Sequence, residues 1–189
     1  MIPNREEALA LLKTYTHTEE LINHALSVEG VMRHFARLYG QDEELWGAVG
    51  LLHDLDYEQW PDEHCQKCVE LMHGAGIDES FIRAVVSHGY GLVSDTAPES
   101  DLEKVLYTID ELTGLITACA LVRPSHSVMD LELKSLKKKF KSKAFAAGCD
   151  RQVILRGCEM LGKEPDWVMA EAIAGMREIA DTIGLGMAQ

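Results

Sequence analysis

Apolar residues recur along most of this chain at the three-to-four-residue spacing of a helix, and period-two alternation is nearly absent. Asn4 followed by Glu7 has the form of a capping box and predicts a first helix. Leu21, Ala25, Val28, Met32 and Phe35 make one stripe and predict a second, from about Glu19 to Tyr39, closed by Gly40. Asp42 opens a third, and its run from Leu45 to Leu52 is apolar on every side, so this helix must be buried. A fourth is expected from Asp62 to His73, closed by Gly74 and Gly76; Asp78 caps a fifth that ends near His88 and Gly89. Ser100 and Glu103 form a second capping box, for a helix running to Val122 and stopped by Pro124. Two more are expected, from Asp150 to Leu161 and from Asp166 to Ile183. Between Ser125 and Gly148 the pattern weakens, and a short strand at Ser127–Leu133 is the one exception to helix. The expected fold class is all-α: a single-domain helical bundle over 1–189, with its core at about 18–124 and a basic segment and further helices at 125–189.

Composition narrows the function more than the fold. A hydrophobic fraction of 47% and a charged fraction of 26% are ordinary for a globular protein. A net charge of -13 argues against stable nucleic-acid binding, which draws its affinity from a basic surface. An anionic substrate must instead find positive charge locally, and bound metal ions supply it. The first residues, Met1-Ile2-Pro3-Asn4-Arg5-Glu6-Glu7, do not have the pattern of a signal or transit peptide, so none is expected, and no apolar run is long enough to span a bilayer. Five cysteines, an odd number, read as reduced thiols, so the expected location is the cytoplasm, away from membranes. Cys65 and Cys68 make a lone Cys-x-x-Cys with no second pair at zinc-site spacing, and helix packing explains them better.

Three polar interruptions of apolar helices carry the chemistry. His53 and Asp54 stand where the buried third helix ends, in Leu51-Leu52-His53-Asp54-Leu55-Asp56-Tyr57. Taking a carboxylate out of water is costly unless it is paired or bound to a metal, and imidazole beside carboxylate suits a divalent transition metal. His24 interrupts the apolar face of the second helix, and Asp110 lies in the most apolar stretch of the sixth. Bundles build metal sites in this way, from side chains on facing helices. Each residue alone also has a plainer reading, as a paired helix-end acid or a satisfied core histidine.

The order His24, His53-Asp54, Asp110 on successive helices resembles the signature of the HD-domain metal-dependent phosphohydrolases. Asn23–Glu29 and Asp110–Leu115 are similar to the small HDIG-type members, and the resemblance covers Leu21 to Pro124. Where that group often has Ile-Gly after His-Asp, this chain has Leu55-Asp56, which leaves the ligands intact. The resemblance implies an HD-type bundle holding one or two divalent transition-metal ions (Fe, Mn, Co, Ni or Zn). His64 and His88 would complete a second site, giving six ligands with Asp54 bridging. A metal-bound hydroxide would then cleave the phosphate ester or anhydride of a small phosphorylated substrate, a nucleotide or dinucleotide. Asp54 and Asp56 are the expected catalytic carboxylates, Asp56 to orient the water or give a proton. The basic run Lys134–Lys143 resembles a lysine-rich segment of HDIG proteins. Lys137, Lys138, Lys139 and Lys141 are therefore expected to form a phosphate-gripping flap, with Arg123 as a second anion contact; a solvated surface is the alternative. The same six ligands also serve mixed-valent di-iron oxygenases, and some HD modules bind ligands without catalysis. The remaining histidines, His17, His34, His73 and His126, are expected on the surface.

Overall fold

Asn4 accepts a hydrogen bond from the Glu7 N–H while the Glu7 carboxylate accepts one from the Asn4 N–H, and Ser100 and Glu103 repeat the exchange. These boxes open α1 (Arg5–Tyr15) and α6 (Asp101–Leu121). Asp42 and Asp150 cap α3 (Glu43–Leu52) and α8 (Arg151–Leu161) through side-chain bonds to first-turn N–H groups. With α2 (Glu19–Leu38), α4 (Lys67–Gly74), α5 (Glu79–Val86), α7 (Leu133–Lys141) and α9 (Pro165–Glu178), they make an all-α fold. The computed structural model describes residues 1–188, and no strand occurs among them. No helix among these residues is long and apolar enough to cross a membrane.

The apolar run of α3 is buried without a break from Trp46 to Leu52, as its pattern requires, and packs against α1 and α2. Helix α2 in turn packs against α6 and α9, and α6 against α8, so α2 and α6 form the spine that carries the later site. Small residues set the closest approaches. A Cβ on Gly50 would stand 3.2 Å from the Glu29 Cα, and one on Gly157 only 2.1 Å from the Thr108 hydroxyl. Glu29, 4% exposed, is neutralised by Arg5 at 2.6 Å and Arg33 at 3.0 Å, which offsets its desolvation. His34 is not the surface residue expected: it is 13% exposed and joins α2 to α9 through Glu171 at 2.6 Å and Glu178 at 2.7 Å.

The structure departs from the sequence pattern in three places. The expected strand at Ser127–Leu133 is absent, because no second strand is present to satisfy its backbone groups. Instead the Val128 N–H donates to the Leu185 carbonyl at 3.0 Å, and Arg177 donates to the Val128 and Leu131 carbonyls. The basic run that follows is a helix, α7, on which Leu136 alone is buried. The fourth helix does not run from Asp62 to His73: a single 3₁₀ turn at Pro61–Glu63 is followed by Cys65 at φ +64, and α4 starts at Lys67. Its first turn is capped from a distance, by Asp56 Oδ2 accepting from the Cys68 N–H at 2.8 Å. Helix α9 stops at Glu178, and turns carry the chain on through Ile183.

Residues 142–149 look irregular and are tightly held. The Arg151 guanidinium donates to the carbonyls of Phe140, Ser142, Phe145, Ala146 and Cys149, so the chain winds around one cation. Replacing Arg151 by alanine should destabilise the protein by about 2–4 kcal/mol, because several carbonyls lose their donor together. Amide exchange should accelerate first in 142–149; uniform exchange across the chain would contradict this role.

Candidate metal centre

Helix α2 supplies His24, the end of α3 supplies His53 and Asp54, and α6 supplies Asp110. One ligand atom from each of these four residues lies within 4.8 Å of all the others. His24 Nε2 is 3.0 Å from Asp110 Oδ1 and 3.2 Å from His53 Nε2; His53 Nε2 is 3.2 Å from both Asp54 Oδ2 and Asp110 Oδ1. Metal–ligand bonds of about 2.0–2.1 Å place neighbouring ligand atoms roughly 2.9–3.4 Å apart, so the spacing suits a single ion.

A second group adjoins the first. His64 Nε2 and His88 Nε2 stand 3.1 Å apart, and Asp54 Oδ1 lies 3.4 Å from one and 3.5 Å from the other. The two oxygens of Asp54 thus face different groups. His64 reaches this position because the chain breaks at Cys65, and Asp56 holds it there by accepting from Nδ1 at 2.7 Å. Asp56 is itself fully buried, with both oxygens bonded, so it orients His64 and is closed to a water in the pocket. Cys65, which the sequence pattern assigns to helix packing, also stands beside this second group. Its sulfur lies 3.9 Å from the His88 ring nitrogens, and His64, Cys65 and His88 form a further group that could hold a metal.

Hydrogen bonding determines which ring nitrogens are free. His53 Nδ1 donates to the Gly50 carbonyl at 2.7 Å, His88 Nδ1 to the Val85 carbonyl at 2.5 Å, and His64 Nδ1 to Asp56. Neutral rings therefore turn their Nε2 lone pairs toward one another and toward carboxylate oxygens. Such an arrangement needs positive charge between the groups, from a proton or a metal ion. Without an ion, protons serve. Burial opposes the charged form of His53, but Asp54 and Asp110 outweigh it and hold the ring up at about 10. Burial likewise opposes charge on His64, and the bond to Asp56 raises it to about 9. The same histidines hold Asp54 and Asp110 well below the usual carboxylate range despite burial.

The groups open on a cavity of about 330 Å³, walled also by Tyr57, Tyr107, Glu111 and Cys149. Glu111 is the spare carboxyl in this wall; burial, with Asp110 beside it, lifts it to about 7. None of the cations expected here borders the cavity. Arg123 is bound to Asp130 and Lys137 to Asp166, while Lys138, Lys139 and Lys141 lie on α7 away from the ligands. Arg156 stands nearer: its Nη1 donates to the Tyr107 hydroxyl at 2.9 Å, and a Cβ on Gly91 would lie 3.5 Å from it. Nothing in the sequence singled it out among 18 basic residues.

A family model described as the HD domain matches residues 21–115, half of the chain. Among curated proteins, a tRNA (cytidine(56)-2'-O)-methyltransferase of Thermoplasma volcanium is 30% identical over 122 residues. The match covers 64% of this chain and 36% of that protein, so the chain spans little more than a third of that relative's length. No solved structure matches.

Proposed function

Since the chain belongs to the HD-domain family, we propose that it is a metal-dependent phosphohydrolase acting on a phosphate ester or anhydride of a small molecule of the nucleotide or dinucleotide class. The observation that carries this reading is Asp54, whose two oxygens face two separate groups of nitrogen and oxygen donors in the wall of one cavity. The donor set fits first-row divalent metals: His24, His53, Asp54 and Asp110 for one ion, and His64, His88 and Asp54 for a second. When bound, such ions acidify water and neutralise charge on phosphoryl oxygens.

The chain's own residues do the placing. Gly50, Val85 and Asp56 fix three imidazoles so that their free nitrogens point inward. Tyr107, which lines the cavity, accepts from the Arg156 guanidinium behind it, and we assign that cation to a phosphate remote from the reacting one. That placement offsets the repulsion a dianion meets from a chain of net charge -13.

Protein purified without chelator should carry about two transition-metal ions per chain and release phosphate from nucleotide substrates when supplied with manganese. His64→Ala with His88→Ala should lower the content to about one. Metal-loaded protein that hydrolyses no phosphate compound sinks the proposal, and oxygen uptake by the iron form would favour the oxygenase. Metal uptake should also depend on pH in a set direction. Since His53 is held up at about 10 and His64 at about 9, both rings carry a proton at neutrality that an incoming ion must displace. Apparent affinity should therefore climb from pH 7 to 9 with protons released, as calorimetry in buffers of different ionisation enthalpy would show. Flat affinity over that window would mean that the rings are already free.

A further inference from the structure

Three of the cations that do not reach the metal centre, Arg123, Lys138 and Lys139, line a second cavity of about 470 Å³ between the end of α6, the segment after it and α7. Arg123, Lys138, Lys139, Ser135 and Ser142 supply its polar lining. From Asp110 to Leu121, where α6 ends, the helix rises roughly 17 Å, so this cavity is separate from the metal-binding groups.

The helix that forms one wall, α7, carries charge against the trend of the chain, and Lys138 and Lys139 of its lysine run face the cavity. Six of the chain's 18 basic residues are lysines between 134 and 143, while the net charge is -13. Part of this charge is uncommitted. Lys138 has no carboxylate partner among the described residues. Arg123 spends only Nε on Asp130, at 2.8 Å, which fixes the guanidinium and leaves its terminal nitrogens free to donate. Lys139 is placed by the Phe145 ring, 4.4 Å from its centroid. The remaining wall is apolar, formed by Val122, Pro124 and Leu131, and Val122 is 59% exposed with nothing packed over it. Apolar walls with a few convergent polar groups, in this range of volume, are the usual form of a small-molecule site.

We propose that this cavity binds a small phosphate-bearing ligand with a flat apolar part, of the nucleotide class, independently of the metal centre. Arg123, Lys138 and Lys139 take the phosphates, the two serine hydroxyls donate to phosphate oxygens, and the apolar part lies on Val122 and Pro124. The proposal does not rest on hydrolysis at the first site and can be tested with metal removed.

The experiment is calorimetric titration of the full chain, freed of metal by chelator, with ADP and with inorganic pyrophosphate. ADP should bind more tightly than pyrophosphate, because only ADP covers the apolar wall, and both affinities should fall as salt rises. Lys138→Gln with Lys139→Gln should weaken ADP roughly tenfold or more, and Asp54→Ala should leave it unchanged. Absence of binding overturns the proposal, as does binding that survives the lysine substitutions. Loss of binding in Asp54→Ala would move the ligand to the metal centre and overturn it too. A short RNA that binds these lysines more tightly than ADP would replace the small-molecule site with a nucleic-acid surface.

Discussion

Asp54→Ala is expected to lower phosphate release by about 10²–10³-fold or more, toward the level of the metal-free protein. Its Oδ2 lies 3.2 Å from His53 Nε2, and its Oδ1 lies 3.4 Å and 3.5 Å from the Nε2 atoms of His64 and His88. Removing one side chain therefore opens both donor groups. The fold should tolerate the change, because the Asp54 side chain meets the site's histidines and caps no helix. The metal-free variant should stay folded but melt somewhat below the parent at neutral pH, because buried His53 loses one of the two carboxylates that keep it protonated. The gain that metal gives the parent, roughly 5–10 °C at a hundredfold excess over Kd, should vanish. Asp56→Ala should behave the other way round. It strands the Cys68 N–H and His64 Nδ1 inside the protein, so it should destabilise the metal-free form by about 1–3 kcal/mol. If both variants lose metal response without losing stability, the division between a bridging and an orienting carboxylate is wrong.

Gly157→Ala is expected to cost about 2–4 kcal/mol, a large effect for one methyl group. The added Cβ would stand 2.1 Å from Thr108 Oγ1 and 2.8 Å from the Thr108 Cα, and a backbone atom cannot swing aside. Helices α6 and α8 would have to separate, and they carry Tyr107, Asp110 and Val153 of the metal cavity between them. Thermal melting should fall by roughly 5–15 °C, and metal affinity should fall with it. As a control, a Cβ on Gly148 meets nothing within 4 Å, so Gly148→Ala should melt close to the parent. Equal melting temperatures for the two variants would show that the approach of α6 to α8 is not close-packed.

Much of this architecture is local and therefore legible in the sequence. Asn4, Asp42, Ser100 and Asp150 act within one turn of themselves, and the apolar stripes of α2 and α3 need only the helical period. The first donor group was visible for a related reason: His24, His53, Asp54 and Asp110 each break a run that burial would keep apolar. What escaped depends on partners distant in sequence. Asp56 caps a helix that begins eleven residues later, so the start of α4 could not be read from its own first residues. His34 looked like a surface residue because Glu171 and Glu178, more than 130 positions away, are what draw it inward. The lysine run revealed its charge but not its location, which follows from how α7 leaves the Val128–Leu131 turn and joins the chain held by Arg151. Cys65 needed a left-handed backbone angle that no neighbouring glycine announces.

That Arg151 hub has a consequence for how the segment can change. A stretch with little regular structure is ordinarily where chains gain and lose residues most freely. Here the carbonyls of residues 139–149 are spooled around a single guanidinium, each at its own angle. The side chains of Lys143, Ala144 and Ala147 are exposed and can vary in identity, while Phe145 and Ala146 pack against the core. The number of residues cannot, because one more or one fewer would bring every later carbonyl past the hub out of phase. It would also shift Gly148 and Cys149 out of the cavity wall they share with the metal ligands. For this segment, length is the heritable quantity and spelling is secondary.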